Sequence, residues 1–74
     1  MSPGPARGRV RNRIRDLRQA AGLSQQQLAE RVGVTRQTIN AIEQEKYSPT
    51  LELAFRLARE FGVGFEDVFQ FTVR

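Results

Sequence analysis

Cysteine, histidine and tryptophan are all missing from this 74-residue chain. Without cysteine there can be no disulfides and no thiolate metal sites. Without histidine the commonest metal ligand and general base goes too. No apolar run approaches the ~20 residues of a membrane helix. The Met1–Arg11 segment carries Arg7, Arg9 and Arg11 but no apolar centre, which is not the pattern of a secretory signal. The acidic residues fall on faces expected to be exposed, with no core able to build a pocket around them. No catalytic or metal site, cofactor or small-molecule ligand is therefore expected, and an enzyme is disfavoured. A cysteine-free chain suits a cytoplasmic location. A chain of this length holds one domain and buries only about 60% of its unfolded surface, so a second copy is a natural source of extra stability.

What is abundant is positive charge, unevenly placed. The net charge is +4. Residues 1–36 hold eight arginines against Asp16 and Glu30, a net +6; residues 37–74 hold three arginines and Lys46 against six acids, a net −2. Clustered cations attract a polyanion by releasing its counterions. The competing reading, a merely solubilising surface, loses ground once the cations are placed on the elements below.

Punctuation by capping residues and glycines predicts five helices. Ile14, Leu17, Arg18 and Ala21 share one face of a helix over Asn12–Ala21, stopped by Gly22. Ser24 and Gln27 form a capping box before Leu28, Ala29 and Val32, which repeat at helical spacing over Gln25–Val32. Gly33 ends that helix, and Thr35 caps the next, Arg36–Gln44, which buries Ile39 and Ile42. A fourth helix starts after Thr50 and runs to Phe61, with Leu51, Ala54, Leu57, Ala58 and Phe61 inward. Gly64 opens a fifth over Phe65–Phe69, with Phe65 and Val68 inward.

The run Ser24-Gln25-x-x-Leu28-Ala29-x-x-x-Gly33-Val34-Thr35-x-x-x-Ile39-x-x-x-Glu43 resembles the helix-turn-helix domain of the Cro/C1-type (xenobiotic-response-element) transcriptional regulators. The likeness continues through Lys46–Ala54 to Gly62-Val63 and Glu66–Phe69, and so covers about Asn12 to Gln70. It implies an all-α, five-helix, lambda-repressor-like fold that binds double-stranded DNA as a homodimer and regulates transcription, with repression the expected mode. It places base-edge contacts at Thr35, Arg36, Gln37 and Asn40 on the third helix. Side-chain chemistry agrees: Arg bonds guanine bidentately, and Gln or Asn does so with adenine. Phosphate contacts are expected from Gln25, Thr38, Lys46 and Arg13. The resemblance also implies that Arg18 pairs with Glu43, bracing the first helix against the third. Where the family usually has glycine after the third helix, this chain has Glu45, which puts the cap geometry in question.

The chain divides into a loose basic arm (1–11), a DNA-binding domain (12–69) and a tail (70–74). The arm is Pro/Gly-rich, and its arginines have a minor groove as one possible destination. Phe69-Gln70-Phe71-Thr72-Val73-Arg74 alternates apolar and polar, a strand signal with no evident partner in its own domain. Pairing with the same strand of a second copy would bury Phe69, Phe71 and Val73, with Phe55 alongside. A second reading of the same fold is an antitoxin or adaptor that binds a partner protein and autoregulates.

Overall fold

The computed structural model describes residues 8–73, in the order β1 (Gly8–Asn12), α1 (Ile14–Ala20), α2 (Gln25–Val32), α3 (Arg36–Glu43), α4 (Leu51–Phe61), α5 (Phe65–Val68) and β2 (Phe69–Val73). All five expected helices are present, with ends shifted by a residue or two where caps are weak. Helix α1 begins at Ile14, not Asn12, because the Asn12 side chain sits outside it and accepts the Ile14 N–H at 3.1 Å. The strong caps hold their expected places. Gln27 N–H donates to Ser24 Oγ at 3.0 Å, Ser24 N–H donates to Gln27 Oε1 at 2.8 Å, and Thr35 and Thr50 cap α3 and α4. Gly33 and Gly62 close α2 and α4 at φ of 79° and 68°, a region that a Cβ disfavours.

The all-α expectation needs a correction. The tail strand has a partner within its own chain: β1 runs antiparallel to β2, from Gly8 opposite Val73 to Asn12 opposite Phe69. Residues 8–11, expected as part of a loose arm, are therefore a strand. The rest of that expected arm, residues 1–7, lies outside the described residues. Charge conceals β1 in the sequence, since Arg9 and Arg11 flank Val10 and leave one apolar residue in the strand. Phe69 also departs from its expected role at a dimer interface. It is only 6% exposed and belongs to the core of its own protomer.

The core is one apolar cluster. Ile14, Leu28, Ile39, Ile42, Leu57 and Val68 are fully enclosed, so α1, α2, α3, α4 and α5 each contribute at least one. On α4 the inward residues are Leu53, Ala54, Leu57 and Ala58, whereas Leu51, expected inside, is 67% exposed. Residues 51 and 53 both fit an i, i+3 or i, i+4 spacing onto the 54–58 stripe. The packing of α4 against α2 selects the 53/57 phase, and Leu51 is left on the outside.

The outward apolar residues gather in one place. Paired residues of the sheet share a face, so Val10 and Phe71 lie side by side. With Leu51, Ala54, Phe65 and Phe69 they line a groove of about 450 Å³ between the sheet and the α4–α5 corner. The Phe65 ring lies 5.3 Å from both the Phe55 and the Phe69 ring. No helix among the described residues is long and apolar enough to cross a membrane.

Candidate nucleic-acid interface

Helices α2 and α3 owe their relative position to what lies beneath them. Gly33 turns the chain, Val34 N–H bonds back to Ala29 C=O at 2.9 Å, and Thr35 starts α3 at once, its side chain accepting Thr38 N–H at 3.2 Å. Ile39 and Ile42 then anchor α3 to Leu28 and Ala29. With that face fixed inward, Arg36 and Gln37 are exposed in the first turn, and their side chains make no hydrogen bond among the described residues.

The remaining expected contact residues are partly engaged. Asn40 is half-buried, and its Oδ1 accepts from Gln25 Nε2 and Gln44 Nε2, both at 3.2 Å. That leaves Asn40 its amide protons alone, short of the acceptor that bidentate adenine reading needs. Gln25 Nε2 also donates to Glu43 Oε1 at 3.1 Å. The Gln25 side chain thereby ties the start of α2 to α3, while its backbone N–H stays in a first turn, where helical partners are lacking. The Thr35 and Thr38 hydroxyls lie 3.0 Å apart. Lys46 is exposed in the loop that follows α3. Arg13 is exposed just before α1, and its backbone N–H bonds Val68 C=O on α5 at 2.9 Å.

Behind the surface lies the expected brace. Arg18 Nε donates to Glu43 Oε2 at 2.7 Å, Nη2 to Glu43 Oε1 at 3.2 Å, and Nη1 to Leu23 C=O at 2.9 Å. Its side chain is 12% exposed and that of Glu43 is fully enclosed. Arg15 adds a longer ion pair to Glu43 at 3.6 Å. Burial pushes the Glu43 carboxyl up, but hydrogen bonds from Arg18 and Gln25 and the charges of Arg18 and Arg15 outweigh it. Its pKa ends below the usual carboxylate value, so this carboxylate stays charged.

Two arrangements escaped sequence reasoning. Glu45 occupies the left-handed region at φ 61°, and its carboxylate receives Arg9 and Arg11 of β1, each at 3.2 Å. The two arginines thus hold the loop after α3 in the conformation that glycine would adopt freely. The departure from the family glycine was the available signal, but its partners required β1. Second, a cleft of about 320 Å³ between the α2–α3 turn and the start of α4 is lined by Gly33, Thr38, Tyr47, Thr50, Glu52 and Arg56, among others. In sequence, Arg56 reads only as a charge on the solvated side of α4.

The family profile described as helix-turn-helix matches residues 14–68, from the first residue of α1 to the last of α5. The chain belongs to the Cro/C1-type helix-turn-helix family. It is 56% identical over 61 residues to an uncharacterized helix-turn-helix-type transcriptional regulator of Methanothermobacter thermautotrophicus, covering 81% of this chain and 88% of the relative. A relative of the same description from Methanocaldococcus jannaschii is 48% identical over 60 residues, covering 81% and 91%. Among solved structures, the restriction-modification controller protein C.AhdI of Aeromonas hydrophila superposes with a TM-score of 0.68 at 30% identity, over 73% of this chain and 82% of that one. Within the family's frame, Arg36 and Gln37 stand at the exposed start of the helix that follows the turn.

Proposed function

We propose that this protein is a sequence-specific double-stranded DNA-binding transcriptional regulator that works as a homodimer, with α3 in the major groove. The observation that carries the reading is the exposed, unengaged pair Arg36 and Gln37 on a helix whose opposite face is locked by Ile39 and Ile42. A helix held this way offers its polar first turn to base edges without unpacking anything. The guanidinium of Arg36 suits guanine O6 and N7, and the amide of Gln37 suits adenine. Asn40 contributes through its amide protons, Thr35 stands at the helix start, and Gln25, Thr38 and Lys46 meet phosphates on either side. Family membership supports the reading, as does the concentration of arginine in the half of the chain that carries α1, α2 and the start of α3.

The second copy docks on the apolar groove. Leu51, Phe55, Phe71 and Val73 are each more than half exposed on a small domain, and Val10 is 37% exposed. Apolar patches of this kind on soluble proteins mark interfaces. Phe71 and Val73 keep the interface role that Phe69 gives up to the core. The free edge of β2 can extend the sheet across the two-fold axis. Two recognition helices then read half-sites about 34 Å apart, and the bound dimer blocks its site to other proteins, as a repressor does.

Selection of bound duplexes from a random pool tests the reading. The expected result is a pseudo-palindrome with half-sites one helical turn apart. Recovery of no enriched sequence, or of a single unrepeated half-site, refutes it.

A further inference from the structure

Resting on the DNA-binding reading, a second feature of α3 gains a role. At 100° per residue, Thr38 lies about 140–160° around the helix from Asn40 and Glu43, the residues that Gln25 holds. Gln25 and Thr38 therefore flank α3 on opposite sides, with Gln37 between them. A helix about 10–12 Å across fills a major groove about 12 Å wide, so it has a sugar-phosphate wall on each side. On the Thr38 side stands the cleft between the α2–α3 turn and α4.

That cleft is rich in uncommitted donors. Thr50 Oγ1 accepts the Leu53 N–H at 3.2 Å, which leaves its own proton to give. The Thr35–Thr38 contact uses one of two hydroxyl protons and leaves the other. Tyr47 is 46% exposed, and its hydroxyl makes no hydrogen bond among the described residues. Arg56 gives one N–H to Glu52 at 2.7 Å and keeps four. Glu52 is the one acid in the cleft. Its side chain is 75% exposed and its partner's 55%, so this i, i+4 pair is held in water and exchanges readily. A backbone phosphodiester, whose two non-bridging oxygens match the planar fork of the guanidinium, is the stronger partner for Arg56.

We propose that Arg56, Tyr47, Thr38 and Thr50 form a phosphate clamp for the DNA strand on the side of α3 away from Gln25, with Glu52 holding Arg56 in reserve in the free protein. The clamp reads no bases. It fixes how deeply and at what angle α3 enters the groove.

The full chain is titrated by fluorescence anisotropy against its selected duplex and a random duplex, from 50 to 200 mM salt. Arg56→Gln is expected to flatten the log–log salt slope by about 0.9 on both duplexes, so wild type loses roughly 3.5-fold more affinity over that range than the variant. Tyr47→Phe weakens both duplexes alike, and Glu52→Gln tightens both. Replacing backbone phosphates one at a time by neutral methylphosphonates identifies one position that matters to wild type and not to Arg56→Gln. Unchanged slope and affinity in Arg56→Gln, with wild type still binding, overturn the clamp and leave the DNA-binding reading standing. A loss confined to the selected duplex also overturns it, since that is base reading. Failure of wild type to bind any duplex removes both. Matching helical circular dichroism and thermal midpoints show that the variants are folded.

Discussion

Glu43→Gln removes one charge from the enclosed brace and keeps its shape. Arg18 then loses its counter-charge while 12% exposed, and Arg15 loses its ion pair with Glu43. Breaking a buried pair on one side costs roughly 3–5 kcal/mol, because the remaining charge is left uncompensated. Here Arg18 keeps its bond to Leu23 C=O and the new amide still offers one acceptor, so the lower end, about 3 kcal/mol, is expected. Domains of this size have total stabilities from roughly 5 kcal/mol upward, so this is a large share. The thermal midpoint should fall by about 12–24 °C. Urea denaturation followed by circular dichroism measures the free energy, and Arg18→Met/Glu43→Leu completes the comparison. An apolar pair of similar volume should recover most of the loss, whereas Arg18→Met alone should not. pH gives an independent reading. Because the folded Glu43 pKa lies below the ordinary 4.5, its contribution is full above that value and is lost as pH falls through the folded value. Glu43→Gln should be flatter than wild type through that acid window. A variant within 0.5 kcal/mol of wild type, with the same acid profile, refutes the brace.

Three further outcomes are expected. Arg36→Ala should cost about 1–3 kcal/mol on the selected duplex and relax preference at one base position, as read by competition binding. Equal losses on random DNA would refute base reading. Phe71→Lys, which puts a charge into the apolar groove, should shift the protein from dimer to monomer in sedimentation equilibrium while leaving its helical spectrum intact; an unmoved dimer places the interface elsewhere. Gly62→Ala meets no atom within 4 Å, so its cost should be the strain of a positive φ alone, about 1 kcal/mol by thermal unfolding.

The helices were legible in the sequence because their signals are local. Ser24, Thr35 and Thr50 announce starts, Gly33 and Gly62 announce ends, and each acts within four residues of itself. The strand β1 was not legible, since Gly8–Asn12 becomes a strand only by meeting residues at the other end of the chain. The phase of α4 failed for a related reason. Leu51 and Leu53 satisfy the same spacing rule, and only the approach of α2 decides between them. At the candidate site, residue types were visible but their commitments were not. Asn40 reads as being as free as Gln37 until α2 brings Gln25, and the end of α3 its own Gln44, onto its oxygen. Arg18 and Glu43 could be paired by family resemblance, while Glu45 could be marked as unusual but not given its arginines.

The sheet zips the two extremities of the chain together. Gly8 faces Val73, so closing the sheet joins residues far apart along the chain and carries the loop-closure cost of that separation. Trimming the chain back to the boundary at Asn12 would therefore do more than shed a tail. It would strip β2 of its ladder on the β1 side, leave Phe71 without Val10 beside it, and take from Glu45 both of the cations that hold it. A fragment cut there keeps every helix, yet it exposes a sticky ribbon that invites aggregation.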